Sequence, residues 1–198
     1  MDLDSSNIEQ ALGMLARNLE LAGSPPVEIV VCGGASLIAL GTVARSTDDV
    51  DIVALRDSTG TLVAPVPLPD TLLAAAAVVA QNFDLKPNWL NNGPSRGEGG
   101  LFQMGLPDGF ADRLIQRVYG PRLTVYFIGR LDQIFFKLFA GADREGVDLK
   151  DLRALRPTAE ELEAAARWTM TIDVSEGWRF TLRNLLTKLG YEQIAQRI

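Results

Sequence analysis

The stretch "VVCGGASLIALGTVARSTDDVDIVAL", Val30 to Leu55, decides how the chain is read. An apolar run ends in Gly33 and Gly34. A second apolar run carries Asp49 and Asp51, alternating with Val50 and Ile52. In a strand, residues two apart share a face. The two acids are therefore expected to project together, with Val50 and Ile52 facing the other way. They could share one hard cation, bracket two, or form the wet face of a sheet. Two carboxylates held close repel unless a cation, a proton or solvent intervenes. The glycines add a second feature, because backbone without a Cβ can approach a phosphate closely and a following helix start offers free N–H groups. Ser36 would add a hydroxyl donor. Arg45 and Thr47 sit just before the acids, where a cation and a hydroxyl could order the turn or touch an anion.

Outward from this stretch, the pattern is mixed. "VEIVVC" before it reads as a buried strand. Ser6 to Glu9 reads as a capping box, followed by Ile8, Leu12, Leu15 and Leu19 at helical spacing. "DSTG" reads as a turn and "TLVAPVP" as a further short strand or edge, since Pro65 and Pro67 argue against a central strand. "DTLLAAAAVVAQNF" is a helix with Asp70 as its N-cap. "KPNWLNNGPSRGEGG" reads as a long loop, packed by Trp89 or closing Trp89, Asn91 and Asn92 over a ligand. "GFADRLIQRVYG" is expected as a short helix with Arg113 and Arg117 on one face, and "RLTVYFIG" as a strand. From Leu131 onward the pattern is helical: to about Ala142, Asp148 to Leu155, Thr158 to Trp168 and Ser175 to Leu189, with a second capping box at Thr158 and Glu161. Trp168 and Trp178 are assigned to packing there, and Cys32 to a small buried apolar position.

The expected fold is α/β (α+β): a small mixed sheet flanked by helices over residues 1–130, then a helical region over 131–198 packed on it.

Composition excludes several chemistries. The 198 residues contain no histidine, so a Ser-His-Asp triad and His-rich zinc sites are ruled out. Carboxylates favour hard ions such as Mg²⁺ or Mn²⁺. Cys32 is the one cysteine, which excludes an intramolecular disulfide and points to a cytoplasmic location. The polar, acidic start "MDLDSSNIEQ" is unlike a secretory signal, and no apolar run is long enough to span a membrane. The net charge of −6 argues against a non-specific nucleic-acid coat, although four arginines and one aspartate lie between Phe110 and Arg130.

"GGAS" followed by "RSTDDVDIV" resembles the signature of the nucleotidyltransferase superfamily related to DNA polymerase beta. That signature is a Gly-Gly or Gly-Ser turn, a short helix, then Asp-x-Asp on the next strand. It matches closely over residues 28–55. The later segments resemble the small bacterial branch that includes abortive-infection and toxin–antitoxin nucleotidyltransferases, at Lys137-Leu138, Ala140, Asp148 and Asp151-Leu152. The resemblance implies that Asp49 and Asp51 hold Mg²⁺ and are catalytic, and that Gly33, Gly34 and Ser36 cradle the phosphates of a nucleoside triphosphate beside Arg45 and Thr47. Lys137 would contact a phosphate; the bland alternative is a surface lysine whose stem lies on apolar neighbours. Asp148 and Asp151 would act near the site, or would simply be acids in a helix's first turn. The implied reaction moves a nucleoside monophosphate to an RNA end or a protein hydroxyl, within a toxin–antitoxin or phage-defence module that includes an operon partner protein. Two departures stand out. The superfamily's third carboxylate usually lies on a later strand, where "RLTVYFIG" has no acid, leaving Asp112, Asp148 or Asp151 as substitutes. Gly129 stands where this branch often has a serine. These departures keep open a second expectation, a catalytically inactive nucleotide-binding or regulatory partner.

Overall fold

A computed structural model describes residues 1–144 and 146–198. The chain divides into two compact units, Met1–Gly129 and Arg130–Ile198.

The first unit is a mixed sheet with helices. Its elements are α1 (Ile8–Leu21), β1 (Val27–Cys32), α2 (Gly33–Ala39), β2 (Val50–Arg56), β3 (Leu62–Val63), α3 (Asp70–Phe83), β4 (Leu90–Asn91), α4 (Leu101–Met104), β5 (Ile115–Gly120) and β6 (Leu123–Phe127). The sheet runs β3-β2-β1-β6-β5, with β4 also paired to β2. β1 is central: antiparallel to β2 and parallel to β6. A bulge between Val30 and Val31 shifts the β1–β2 register, so Val31 meets Ile52 and Cys32 meets Asp51. One sheet face supplies Ile29, Val31, Ile52, Val125 and Phe127 to a core shared with Leu12, Leu15 and Leu19 of α1 and Leu72 and Val79 of α3. The apolar periods read from the sequence thus become two helices packed on one face of the sheet.

Three local expectations are corrected. α1 begins at Ile8 with Asn7 as its N-cap and no side-chain cap bond, so Ser6 and Glu9 form no capping box. The Asp4 carboxylate takes both the Ser6 N–H at 2.7 Å and the Ser6 hydroxyl at 2.5 Å, which removes Ser6 from the helix start. Pro69, not Asp70, stands at the N-cap of α3; Asp70 is the first helical residue, where an acid complements the helix dipole. "GFADRLIQRVYG" is not a helix. Phe110–Arg113 forms a 3₁₀ turn, and Ile115–Gly120 is the edge strand β5, so Arg113 and Arg117 share no helical face. Arg117 instead meets Glu9 at 2.6 Å and lies over the Phe127 ring.

The second unit is helical: α5 (Arg130–Arg144), α6 (Val147–Ala154), α7 (Ala159–Ile172), α8 (Glu176–Lys188) and α9 (Glu192–Arg197). α5 packs on α6 and α7, and α8 on α9. The Thr158–Glu161 capping box forms as the sequence suggests, and Ser175 caps α8. Trp168 lies against Phe135, Phe136 and Phe139, with centroids 5.7–6.1 Å away, and Trp178 lies against Phe139. α9 lies beyond the last helix expected from the sequence, which ends at Leu189. No helix among the described residues is long and apolar enough to cross a membrane.

Candidate functional site

The opening stretch folds back on itself at the end of β1. Gly33 takes a left-handed backbone, φ +67°, where β1 turns into α2. That conformation favours glycine. A Cβ on Gly33 would lie 3.2 Å from Asp51 Oδ2. A Cβ on Gly34 would lie 2.8 Å from both Arg45 Nη2 and Thr47 Oγ1. Residues separated by 11 to 18 positions therefore meet at one turn, and only a side chain of hydrogen leaves room for them. The local fold enforces this. Thr47 exchanges two 2.8 Å backbone hydrogen bonds with buried Leu3, which anchors the approach to β2. The Arg45 guanidinium donates to the Ser46 carbonyl at 2.7 Å.

Asp51 lies within β2, while Asp49 stands one residue before it, outside the strand. Val50 and Ile52 enter the core, as the alternation requires, and both acids remain half-buried. The Thr47 hydroxyl reaches Asp49 Oδ1 at 3.5 Å. Burial, and then the neighbouring Asp48 charge, push the Asp49 carboxyl above its ordinary value; Thr47, Lys86 and Arg45 offset this in part. Asp48 itself ion-pairs with Lys86, which holds its carboxyl below the usual range. This flanking pair has no sequence signal, because its members lie 38 positions apart.

Among the described residues no three or more Asp, Glu, Cys or His side chains gather into a metal site. Mg²⁺ is usually held by one or two carboxylates, with water and substrate phosphate oxygens completing its shell. Asp49 and Asp51 are the carboxylates that could meet that demand, and a cation would relieve the destabilised charge of Asp49. No acid on β6 joins them. Ile128 and Gly129 follow β6, with the Ile128 N–H bonded to Val31 O beside Cys32, and Asp112 sits exposed in the 3₁₀ turn.

Other expected site residues are placed differently. Ser36 is fully buried and its hydroxyl is committed to the Ile128 carbonyl at 3.1 Å. Trp89 is fully buried with its indole N–H on Ala76 O, the packing reading rather than a ligand lid. Asn91 pairs in register with Asp51, but its Oδ1 accepts from the Gly93 N–H; Asn92 bridges Pro65 O and Arg96. Cys32 is buried.

Lys137, Asp148 and Asp151 do come together, within the second unit. Lys137 Nζ lies 2.7 Å from Asp148 Oδ1 and 2.8 Å from Asp151 Oδ2. The lysine is 7% exposed and the acids 10% and 2%, which overturns the surface-lysine reading. The acids sit in α6 and turn inward to the ammonium rather than serving only the helix dipole. Comparison with known proteins gave no match: no family model, no curated protein and no solved structure matches this chain.

Proposed function

We propose that the first unit binds a nucleoside triphosphate with Mg²⁺ and transfers its nucleoside monophosphate to a hydroxyl acceptor, an RNA end or a protein side chain. The carrying observation is the turn where Gly33 packs on Asp51 and Gly34 on Arg45 and Thr47. Asp49 and Asp51 would hold the cation. When bound, Mg²⁺ supplies positive charge to the triphosphate and to the leaving pyrophosphate. Gly33 and Gly34 leave the backbone open to a phosphate, and Arg45 places a cation beside it. Thr47 orients Asp49. The cluster of Lys137, Asp148 and Asp151 is offered as a further contributor on the strength of the sequence resemblance; two of the lysine's three donors are already engaged. A role in a toxin–antitoxin or defence module with an operon partner belongs to the same reading.

The test is transfer of α-phosphate label from each triphosphate, with Mg²⁺, bulk RNA and cell extract, beside an Asp49→Asn/Asp51→Asn variant. Labelled product from the parent, lost in the variant with melting behaviour retained, is expected. If neither protein transfers label or binds any triphosphate, the reading fails. A second reading is a catalytically silent nucleotide-binding regulator. It is favoured by the lack of a third carboxylate at Asp49 and Asp51 among the described residues. Binding by the parent without transfer would select it.

A further inference from the structure

Arg153 and Arg156 line one groove of about 290 Å³ in the second unit. Leu152 and Leu162, 1% and 0% exposed, form its apolar floor, with Pro157 and Tyr191 beside them. The other arginines of this unit are engaged. Arg130, Arg144, Arg167, Arg179 and Arg197 each meet a carboxylate, and Arg183 donates to the Ile198 carbonyl. Arg153 and Arg156 are exposed, and neither guanidinium has a partner among the described residues. The two arginines of this unit without a partner among the described residues therefore line the same apolar groove.

The groove is also built to stay in shape. Arg156 holds a left-handed backbone, φ +48°, which a non-glycine residue adopts at an energetic cost. Arg130 pins it by donating to Leu155 O at 2.9 Å and Arg156 O at 2.8 Å, and Glu161 grips Arg130 at 2.6 and 3.0 Å. The Tyr191 hydroxyl reaches Pro157 O at 3.4 Å. The turn carrying Arg156 is thus fixed before any ligand arrives, which lowers the ordering cost of binding.

We infer that this groove docks a short acidic segment of another protein. Carboxylates would meet Arg153 and Arg156, where guanidinium forks match them bidentately, and one apolar side chain would enter over Leu152 and Leu162. The volume is at the lower end for ligand sites and suits one or two side chains. Nucleic acid fits less well. It needs an extended basic track and aromatic stacking platforms. Here the two arginines form no extended track, and Tyr191 is the one aromatic ring in the lining. The inference rests on the second unit and does not depend on nucleotidyl transfer.

Fluorescence anisotropy with the full chain tests it, using a labelled peptide Asp-Leu-Glu-Glu-Leu-Asp, its amide counterpart Asn-Leu-Gln-Gln-Leu-Asn, and a labelled single-stranded RNA. The acidic peptide should bind saturably and the amide peptide at least about tenfold more weakly. Arg153→Glu should abolish binding. Arg156→Gly should weaken it about tenfold while melting is unchanged or raised, since glycine accepts the left-handed backbone. The inference is overturned by absence of saturable peptide binding. It is equally overturned by binding that both substitutions leave intact, or by RNA that displaces the peptide and loses affinity in the same variants.

Discussion

Lys137 and Asp151 form an ion pair of 2.8 Å between α5 and α6, with side chains 7% and 2% exposed. Asp148 shares the same ammonium. A buried pair gives little net stability against an apolar replacement, but breaking one side leaves a charge with no compensation. Lys137→Met would remove the ammonium that Asp148 and Asp151 share, leaving Asp148 with exposed Arg144 at 3.4 Å. Its expected cost is about 3–5 kcal/mol, read from the midpoint of urea unfolding. Lys137→Met combined with Asp148→Asn and Asp151→Asn should recover most of that loss. Equal losses in the single and triple variants would show that the cluster's charge is not what matters. The triple variant also gives a folded protein in which the cluster's chemical contribution can be assayed apart from its structural one.

Asp49 leads to a prediction of opposite sign. Its folded-state pKa is raised, chiefly by burial, above the ordinary value of 3.8. The native state therefore binds that proton more tightly than the unfolded chain does. Stability falls as pH rises from about 3.8 through the raised value, and the loss persists above it. Asp49→Asn removes the penalty and can still accept from Thr47. Its melting temperature should exceed the parent's at neutral pH, with the gap closing in acid below about 3.8. Under the proposed function the same variant should also lose nucleotidyl transfer, a trade of function for stability. A variant melting below the parent at neutral pH would contradict the burial argument.

Local sequence marked the elements whose partners lie nearby and missed those set at a distance. The strands around Val30 and Ile52 were legible because β-branched runs and period-two alternation survive without context. β5 was not. Arg113 and Arg117 stand four apart, a helical spacing, and an exposed edge strand lacks the buried alternation that would have outvoted it. The Ser6 capping box had the right letters, but Asp4 competes for the same groups. At the site, residue types and spacing marked Gly33, Gly34, Arg45, Thr47 and Asp51 and the family resemblance grouped them, but the packing of Gly33 on Asp51 and of Gly34 on Arg45 and Thr47 had no local signal. The inward turn of Ser36 was hidden because its acceptor, Ile128, lies 92 residues away. Lys137 showed a similar limit, since its pairing with Asp148 and Asp151 depends on how α6 folds back on α5.

Ser36 separates a structural hydroxyl from a ligand-binding one. Ser36→Ala removes the bond to Ile128 O and leaves a carbonyl without that donor in a buried setting. The expected cost is about 1–3 kcal/mol in stability. Triphosphate affinity by calorimetry should be unchanged. Loss of affinity with stability intact would instead place the hydroxyl on the ligand.

Gly34 tests whether the turn is as tight as its geometry states. Its φ is not left-handed, so alanine there would ordinarily stabilise the start of α2 by about 0.5–1 kcal/mol. The added Cβ instead meets Thr47 Oγ1 at 2.8 Å and Thr47 Cβ at 3.2 Å. Arg45 can swing its guanidinium away. Thr47 has no such freedom, because both its backbone groups are tied to Leu3. Overpacking of this kind costs about 1–3 kcal/mol, so Gly34→Ala should lower stability. In the proposed function it should also weaken triphosphate binding, since Thr47 carries Asp49 with it. A double-mutant cycle isolates the contact. In a Thr47→Ala background, where the nearest oxygen is gone, Gly34→Ala should cost less by about 0.5 kcal/mol or more. Strictly additive effects would mean that the two residues do not touch as described.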